Sequence, residues 1–173
     1  MQSKTIVTTR RLRLRTWRAM DAGPYHRHCN SSDVMDYLGG VMTPRQVKLE
    51  VRWLIRRQHR DGLSFWVMER KRDKAFLGFC GLILVNDPSS TVSGTIEIGW
   101  RLRSDMWRRG YACEAAEAVL RYGRDHVTQP IISRVAPGNV PSRGLMQKLG
   151  MRRLPELDYV DPNDNMPLVV YGF

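Results

Sequence analysis

A glycine-containing segment at residues 107–112, with the sequence WRRGYA, is the clearest candidate for chemistry in this chain. It lies between a predicted strand and a predicted helix. Gly110 can adopt a backbone conformation that is closed to other residues, and the first N–H groups of a helix have no intrahelical acceptor. Together these groups can bind a phosphate or pyrophosphate. The alternative is an ordinary amphipathic helix that follows a glycine, and neither a Walker loop nor a G-x-G-x-x-G motif is present.

A second candidate segment covers residues 135–143 (VAPGNVPSR), where a predicted strand ends and a predicted helix begins. Asn139 precedes that helix, and Ser142 lies in its first turn. Taken alone, both residues are explained by helix capping, because their side chains can accept hydrogen bonds from the first N–H groups.

The elements that position these two segments alternate irregularly between strands and helices. Strands are predicted from period-two alternation or short apolar runs, and helices from helical spacing and capping signals, with Asp21 as the cap of the first helix. The predicted strands cover residues 11–17, 64–70, 75–85, 95–103, 131–136, 157–160 and 168–171. The predicted helices cover residues 21–29, 33–38, 44–60, 111–126 and 141–149. This order indicates a mixed α/β fold and not a doubly wound one.

Length and composition exclude several classes of protein. A chain of 173 residues with 42% hydrophobic content is expected to form one domain, residues 1–173. The three cysteines are too few for a disulfide framework, and no Cys/His cluster suggests a metal site. The longest apolar run, residues 76–85, is half of what a membrane span requires. We therefore expect a cytoplasmic protein with reduced thiols and no membrane association.

The formal charge of +11 raises the question of an anionic partner. Residues 1–60 hold thirteen basic and four acidic side chains, so most of the excess lies in the first third of the chain. Within residues 11–17, Leu12 and Leu14 are predicted to share one strand face and the arginines at 11, 13 and 15 the other. Composition favours a solvated Arg-rich face over a binding surface. No helix-turn-helix, RNP or zinc motif supports nucleic-acid binding.

Taken together, the motifs resemble the GCN5-related N-acetyltransferase (GNAT) superfamily. Its acetyl-CoA pyrophosphate loop reads Gln/Arg-x-x-Gly-x-Gly/Ala, which residues 107–112 fit with Trp107 at the first position. Trp107 in place of Gln/Arg, and Glu114 two residues after Ala112, resemble the pattern of the RimJ/RimL-like subgroup. Further segments that resemble this subgroup are residues 9–15 with Asp21 downstream, residues 96–100, and Asn139-x-x-Ser142 leading into residues 148–151.

The resemblance implies a central, mostly antiparallel sheet that is splayed between its fourth and fifth strands and flanked by helices. Those strands are residues 95–103 and 131–136, with acetyl-CoA in the wedge between them. The residues that would hold it are Trp100, Arg101 and Leu102 for the pantetheine amides, Arg108, Arg109, Gly110, Tyr111 and Ala112 for the pyrophosphate, Asn139 and Ser142 for the thioester end, and Arg143 and Lys148 for the CoA phosphates.

The reaction implied is direct transfer of the acetyl group from acetyl-CoA to a primary amine, with no metal. A main-chain N–H at the splay would polarise the thioester carbonyl, and a base must accept the amine proton. Glu97 is the only acid on the candidate strand and is therefore the candidate base. The equally weighted alternative is a surface carboxylate or a partner of Arg101 or Arg103. Ser142 is the candidate proton donor to the thiolate, because Met146 occupies the position where many family members have Tyr.

The amine acceptor is not identified by the sequence. The resemblance allows a protein N-terminus or a small-molecule amine, bound between the two early helices and the late hairpin. Three acids near that hairpin, Asp158, Asp161 and Asp164, could attract a cationic amine or could be turn residues. A homodimer is an expectation from the subgroup. The competing functions are a non-catalytic acyl-CoA-binding protein and a basic nucleic-acid-binding module.

Overall fold

The computed structural model describes residues 3–161 and 165–173, which form a sheet flanked by helices on both faces. The sheet order is β1-β2-β3-β4-β5-β6-β9-β7, and β8 pairs with β9. The strands are Thr5–Thr8 (β1), Leu12–Arg15 (β2), Phe65–Arg70 (β3), Phe76–Leu84 (β4), Ile96–Leu102 (β5), Ile131–Val135 (β6), Arg152–Arg153 (β7), Tyr159–Val160 (β8) and Pro167–Gly172 (β9). The helices are Ala22–His28 (α1), Ser32–Met35 (α2), Pro44–Asp61 (α3), Tyr111–His126 (α4) and Val140–Lys148 (α5), with short 3-10 helices at Ala19–Asp21, Ser104–Met106 and Pro155–Leu157.

The sheet opens between β5 and β6. Every other adjacent pair in the described sheet is antiparallel, whereas β5 and β6 are parallel and pair only at Ile96 with Ile131 and at Glu97 with Ile132. Just beyond, the Ser133 hydroxyl donates to the Ile98 carbonyl at 2.8 Å, in place of a main-chain partner. These two strands are the fourth and fifth of the sequence prediction, so the predicted mixed α/β fold and its splay are confirmed.

Helix α4 covers one face of the sheet with the small residues that its sequence predicted. Ala115, Ala116 and Val119 are fully buried in the main core cluster. A Cβ on Gly123 would lie 2.9 Å from Ile131 Cδ1, so a larger residue there would require the Ile131 side chain to move. The N-terminus of α4 is thereby held at a fixed height above the sheet.

Helices α1 and α3 cover the opposite face. Helix α3 begins with Thr43, whose side chain accepts a hydrogen bond from Gln46 N–H, and it buries Val47, Val51 and Leu54 at helical spacing. These side chains pack in a cluster with aromatic rings that include Tyr25 of α1. This layer is the wall of the sheet face on which the acceptor was expected.

The predicted solvated face of the first strand is wrong for Arg15. Its guanidinium is buried and ion-paired with Asp21 and Glu69, each at 2.9 Å. Asp21 also differs from the prediction, because its carboxylate makes no capping bond to α1 and accepts hydrogen bonds from Arg15 and from the Arg18 N–H instead. The pairing could not be read from period-two alternation, since it depends on Glu69 in a neighbouring strand.

Two short strands were not predicted, the four-residue β1 and the two-residue β7. Both lie at the edges of the sheet order, beside β2 and β9. The predicted late hairpin is confirmed as β8 with β9. No helix in the described part of the chain is long and apolar enough to cross a membrane.

Candidate functional site

The segment before α4 forms a tight loop with two left-handed residues. Gly110 has φ 75° and Arg108 has φ 56°, so the conformational freedom expected of Gly110 is used. The Gly110 carbonyl accepts the first helical bond, from Glu114 N–H at 3.1 Å. The N–H groups from Arg108 to Ala112 thus lie at the positive end of the α4 dipole. The side chains of Arg108 and Arg109 are exposed at the same place.

Glu114 ties this loop to the turn between β1 and β2. Its carboxylate accepts hydrogen bonds from the Thr9 hydroxyl at 2.5 Å, the Arg11 N–H at 2.8 Å and the Arg11 Nε at 2.5 Å. Burial raises the pKa of Glu114, but the hydrogen bonds from Thr9 and Arg11 outweigh it and hold the pKa below its usual value. The carboxylate is therefore ionised and engaged in shaping the loop.

Arg11 completes the clamp from the other side. Its Nη1 donates to the Arg109 carbonyl at 3.0 Å, and its guanidinium lies 4.3 Å from the centre of the buried Tyr111 ring. A Cβ on Gly110 would lie 3.4 Å from Arg11 Nη2. Period-two alternation predicts a solvated strand face for this arginine, whereas its guanidinium holds the loop before α4.

The main chain of β5 alternates between its two neighbours. In an antiparallel pair, successive residues direct their N–H and C=O groups to opposite sides. Arg103 N–H donates to Leu77 of β4 at 2.9 Å, so odd-numbered residues of β5 face β4 and even-numbered residues face the splay. The predicted main-chain contact of Arg101 with pantetheine is therefore wrong, because its main-chain groups face β4, paired with Phe79. Trp100 and Leu102 have the required direction.

Trp100 is the residue whose main chain is open toward the splay. It lies beyond the last residues of β5 that pair with β6. The next carbonyl with the same direction, that of Leu102, accepts the Trp107 indole N–H at 2.8 Å. Trp107, which stands where the family pattern has Gln or Arg, thus joins the pyrophosphate-loop candidate to the end of the open strand.

The side chain of Arg101 belongs to the opposite face of the sheet. It donates to the hydroxyl of the buried Tyr25 and lies 3.7 Å from Glu50 of α3. Tyr25 in turn donates to Glu50 at 2.7 Å. These three residues link α1, α3 and β5, and the long sequence separations between them gave no signal in the sequence.

Glu97 lies at the point where the sheet opens and is only 9% exposed, so it is not a surface carboxylate. Its Oε2 accepts a hydrogen bond from Arg134 of β6 at 2.5 Å, and Arg134 also donates to the Tyr159 hydroxyl. The alternative partners considered from sequence were wrong, since Arg101 contacts Glu50 and Arg103 contacts Asp105. Glu97 is thus held by Arg134 at the opening of the sheet, and its role as base stays a prediction.

The turn into α5 has the geometry of a helix cap. Asn139 Oδ1 accepts from the Ser142 N–H at 3.1 Å. The Ser142 hydroxyl itself has no hydrogen-bond partner within the described ranges, and Met146 is buried. Arg143 donates to the Tyr171 hydroxyl at 3.1 Å and to the Pro137 carbonyl at 2.9 Å, whereas Lys148 is exposed. Contacts of these side chains with CoA stay predictions.

Tyr37 packs next to the candidate site, a contact that the sequence did not predict. Its ring lies beside the turn into α5, where a Cβ on Gly138 would lie 3.1 Å from Tyr37 Cε1. The segment between α2 and α3 thereby reaches across to the turn that carries Asn139. No local pattern could have signalled this contact, because it joins residues that are a hundred positions apart.

Two of the three acids considered near the late hairpin, Asp158 and Asp161, lie within the described residues. Asp158 is paired with Arg153 and also accepts from the Val170 N–H at 3.0 Å, and the hydrogen bond from Arg153 lowers its pKa. Asp161 takes part in the hairpin turn, where its N–H donates to Met166 and its carbonyl accepts from Asn165. Asp164 lies outside the described residues.

Cys113 follows the loop in α4 without the surroundings of a nucleophile. Burial, followed by its hydrogen bond to Glu117, raises the pKa of the thiol. The three cysteines are free. No group of three or more metal-ligating side chains occurs within residues 3–161 and 165–173.

Comparison with known proteins indicates which family this chain belongs to. The model of a family described as an acetyltransferase (GNAT) domain matches residues 11–152. The uncharacterized protein YkkB of Bacillus subtilis (strain 168) is 36% identical over 153 residues, which are 87% of each chain. The crystal structure of a GNAT-family acetyltransferase from Bacillus anthracis is 26% identical, covers 96% of both chains and gives a TM-score of 0.76.

The fold is shared with a more distant structure, RimL, a ribosomal L7/L12 alpha-N-protein acetyltransferase in complex with coenzyme A. It is 13% identical, covers 98% of this chain and 97% of its own, and gives a TM-score of 0.74. The family model matches most of the chain, and the open edge of β5 and the loop before α4 are consistent with that match. The chain therefore belongs to the GNAT family of acetyl-CoA-dependent acetyltransferases.

Proposed function

We propose that this chain, as one acetyltransferase domain, transfers the acetyl group of acetyl-CoA directly to a primary amine, on a protein N-terminus or a small molecule. One observation carries the proposal: the open main chain of Trp100 leads through the Leu102–Trp107 hydrogen bond to the N–H groups ahead of α4. This continuous track suits pantetheine amides at one end and a pyrophosphate at the other. No feature of the described residues favours a nucleic-acid module over it.

The proposed contacts divide between main chain and side chains. Main-chain groups of Trp100, with the N–H of Leu102, pair with pantetheine, and the N–H groups from Arg108 to Ala112 bind the pyrophosphate. The Arg108 and Arg109 guanidinium groups add positive charge there. Asn139 and Ser142 line the thioester end, and Lys148 is free to approach a phosphate. Arg143 supports the turn through the Pro137 carbonyl more than it offers charge to CoA.

The proposed transfer is a single displacement. The neutral amine attacks the thioester carbonyl, the new N–C bond forms, and the C–S bond breaks. A main-chain N–H at the splay stabilises the developing oxyanion. Glu97 accepts the proton of the amine, and the departing thiolate receives a hydrogen bond or proton from the Ser142 hydroxyl. Arg134 holds the Glu97 carboxylate in place through an ion pair. As the base, Glu97 would have to accept the amine proton while it remains paired with Arg134.

Release of free thiol from acetyl-CoA with a panel of amines tests this function, and calorimetry with CoA tests the binding track. Gly110→Ala is expected to weaken CoA binding about fivefold or more, because a left-handed alanine costs about 1 kcal/mol. The free loop then relaxes away from the binding conformation, and CoA binding has to restore it at that cost. Gly94→Ala is the matched control, since Gly94 also has a left-handed φ, of 85°, but lies in the loop between β4 and β5 with open space around it. Absence of CoA binding at millimolar concentration would refute the acetyltransferase and the non-catalytic acyl-CoA-binding alternatives together.

CoA binding without thiol release from any amine would favour the non-catalytic alternative. The proposal includes a cytoplasmic location, supported by three unpaired thiols. It also includes the homodimer expected from the RimJ/RimL-like subgroup, which light scattering would test.

A further inference from the structure

The outer face of α3 carries an uninterrupted line of exposed side chains. They recur at every third or fourth position, which places them along one side of the helix, opposite the buried Val47, Val51 and Leu54. We call this line the α3 basic stripe, and its members are Arg45, Lys48, Leu49, Arg52, Trp53 and Arg56. It is about 17 Å long at the rise of an α-helix.

The four cations of the α3 basic stripe are not used by the fold. None of them takes part in an ion pair within the described part of the chain. The remaining charges of α3 are engaged elsewhere, since Arg57 and Arg60 pair with Asp61, and Glu50 faces inward to Arg101. This stripe therefore holds charge that neither CoA binding nor internal pairing accounts for.

Two apolar side chains lie in the middle of the cations. Leu49 is 50% exposed and Trp53 is 37% exposed. An apolar centre with a charged rim is the usual make-up of a protein–protein contact. A single-stranded nucleic acid is bound by stacking successive bases on several aromatic rings, whereas the stripe holds one ring, Trp53, with the Arg57 guanidinium 4.8 Å over it. A second copy of this chain would bring like charges together.

We propose that the α3 basic stripe docks an acidic polypeptide segment that also carries apolar side chains. The role of this docking rests on the proposed function: it would hold a polypeptide acceptor close to the transfer site. The inner side of the same helix supports this placement, because Glu50 lies 3.7 Å from Arg101 of β5, the strand that bounds the splay. A polypeptide docked on α3 would therefore need only a few further residues to reach the acceptor face of the sheet.

The binding experiment uses a fluorescent peptide of glutamates and leucines and its glutamine counterpart, measured by anisotropy. The stripe variant is Arg45→Gln, Lys48→Gln, Arg52→Gln and Arg56→Gln. The control removes the same charge at four exposed, scattered positions, Arg10→Gln, Arg27→Gln, Arg121→Gln and Arg152→Gln. We expect the acidic peptide to bind wild type and control, to lose about tenfold or more in affinity with the stripe variant, and to weaken with added salt.

Three results would overturn the inference. One is equal affinity of the acidic peptide for the stripe variant and wild type. Another is tighter binding of an oligonucleotide of matched charge that the stripe variant loses, which would assign the stripe to nucleic acid. The third is self-association that only the stripe variant loses, which would assign it to a second copy.

Acetylation assays separate this inference from the proposed function. If docking serves acceptor choice, kcat/KM for the acidic peptide exceeds that for its glutamine counterpart about tenfold in wild type and control, and the two become equal in the stripe variant. A neutral small amine is acetylated equally by all three proteins. Equal kcat/KM for both peptides in wild type overturns the acceptor role while leaving the acetyltransferase function in place. Peptide binding without acetylation of any amine refutes the proposed function and leaves the docking surface standing.

Discussion

At the scale of single residues, Glu97 serves two purposes that a substitution has to separate. Its carboxylate is proposed to take the amine proton, and it also accepts a hydrogen bond from the largely buried Arg134. Leaving such a guanidinium without its counter-ion destabilises the fold, because a buried charge then lacks compensation. A loss of activity therefore supports the mechanism only where folding and CoA binding persist.

Glu97→Gln is expected to lower kcat about a hundredfold, because an amide can still accept from Arg134 but cannot take a proton. Free-thiol release at saturating acetyl-CoA measures the rate, and calorimetry is expected to give the wild-type Kd for CoA. Asp61→Asn is the control, since it neutralises the carboxylate of another largely buried arginine pair, with Arg57, at the C-terminal end of α3. Turnover unchanged in Glu97→Gln would remove Glu97 from the mechanism.

Ser142 allows a cleaner substitution than Glu97. Its contribution to the cap of α5 is its main-chain N–H, which donates to Asn139 and is kept by alanine. Ser142→Ala is therefore expected to preserve the thermal midpoint and to lower kcat about tenfold, through loss of the hydroxyl near the thiolate. Circular dichroism and thiol release check the two halves of this prediction. A wild-type rate would leave water as the proton donor.

What the sequence could predict of the site depends on how local the cause is. The left-handed conformation of Gly110 could be expected because it is a glycine directly before a helix, where such a turn is needed. The partner of Glu97 was not, because Arg134 lies 37 positions away on a strand whose register with β5 is a property of the folded sheet. The same holds for the contact of Tyr37 with Gly138.

At the scale of elements, the loop before α4 is shaped by a neighbour that is distant in sequence. The turn between β1 and β2 supplies Thr9 and Arg11, which hold Glu114 and the Arg109 carbonyl. Binding of a pyrophosphate to main-chain N–H groups requires that their directions are fixed beforehand. The Arg-rich opening of the chain thus contributes to the candidate CoA site through positioning.

Glu114→Gln tests this link through its pH dependence. The folded-state pKa of Glu114 is lowered from 4.5, so its stabilisation is present above the unfolded pKa and is lost as the pH falls through the folded pKa. We expect the variant to lose about 2 kcal/mol of unfolding free energy at pH 7, and this difference to shrink below about pH 4. Urea unfolding at several pH values measures it.

The control for this prediction is Glu117→Gln, one turn further along α4, whose carboxylate accepts only from the Cys113 thiol. It is expected to be nearly neutral at every pH. A Glu114→Gln difference that stays constant down to pH 3 would contradict the assignment of the stabilisation to the ionised carboxylate.

Elements with a regular pattern were predictable, and those without one were not. Helices α3 and α4 follow from apolar spacing over 18 and 16 residues with clear ends. The four-residue strand β2 follows from its alternating sequence LRLR, whereas β1 (TIVT) and β7 (RR) show no alternation of apolar and charged residues. The direction of the Arg101 main chain needed the register with β4, which no property of β5 alone contains.

At the scale of the whole molecule, the net charge of +11 divides into two populations. The arginines of the first strands are engaged, because Arg15 is buried between carboxylates and Arg11 is bound to Glu114. The α3 basic stripe is unpaired and exposed. The solvated Arg-rich face that composition favoured thus lies mainly on helix α3, while on the first strand it is limited to Arg13.

The stripe variant is expected to be more stable than wild type, although it loses docking. Lys48 with Arg52 and Arg52 with Arg56 are like charges four residues apart, each pair costing about 0.2–0.5 kcal/mol. Arg45 adds a cation in the first turn of α3, which holds no acid. Replacement by glutamine should therefore raise the thermal midpoint at low salt, whereas the scattered control should not. Added NaCl should narrow the difference in thermal midpoint between the stripe variant and wild type by screening the repulsion.

A stripe variant less stable than wild type would show that these cations serve the fold. Only a gain of stability together with a loss of peptide binding is consistent with charge retained for a partner.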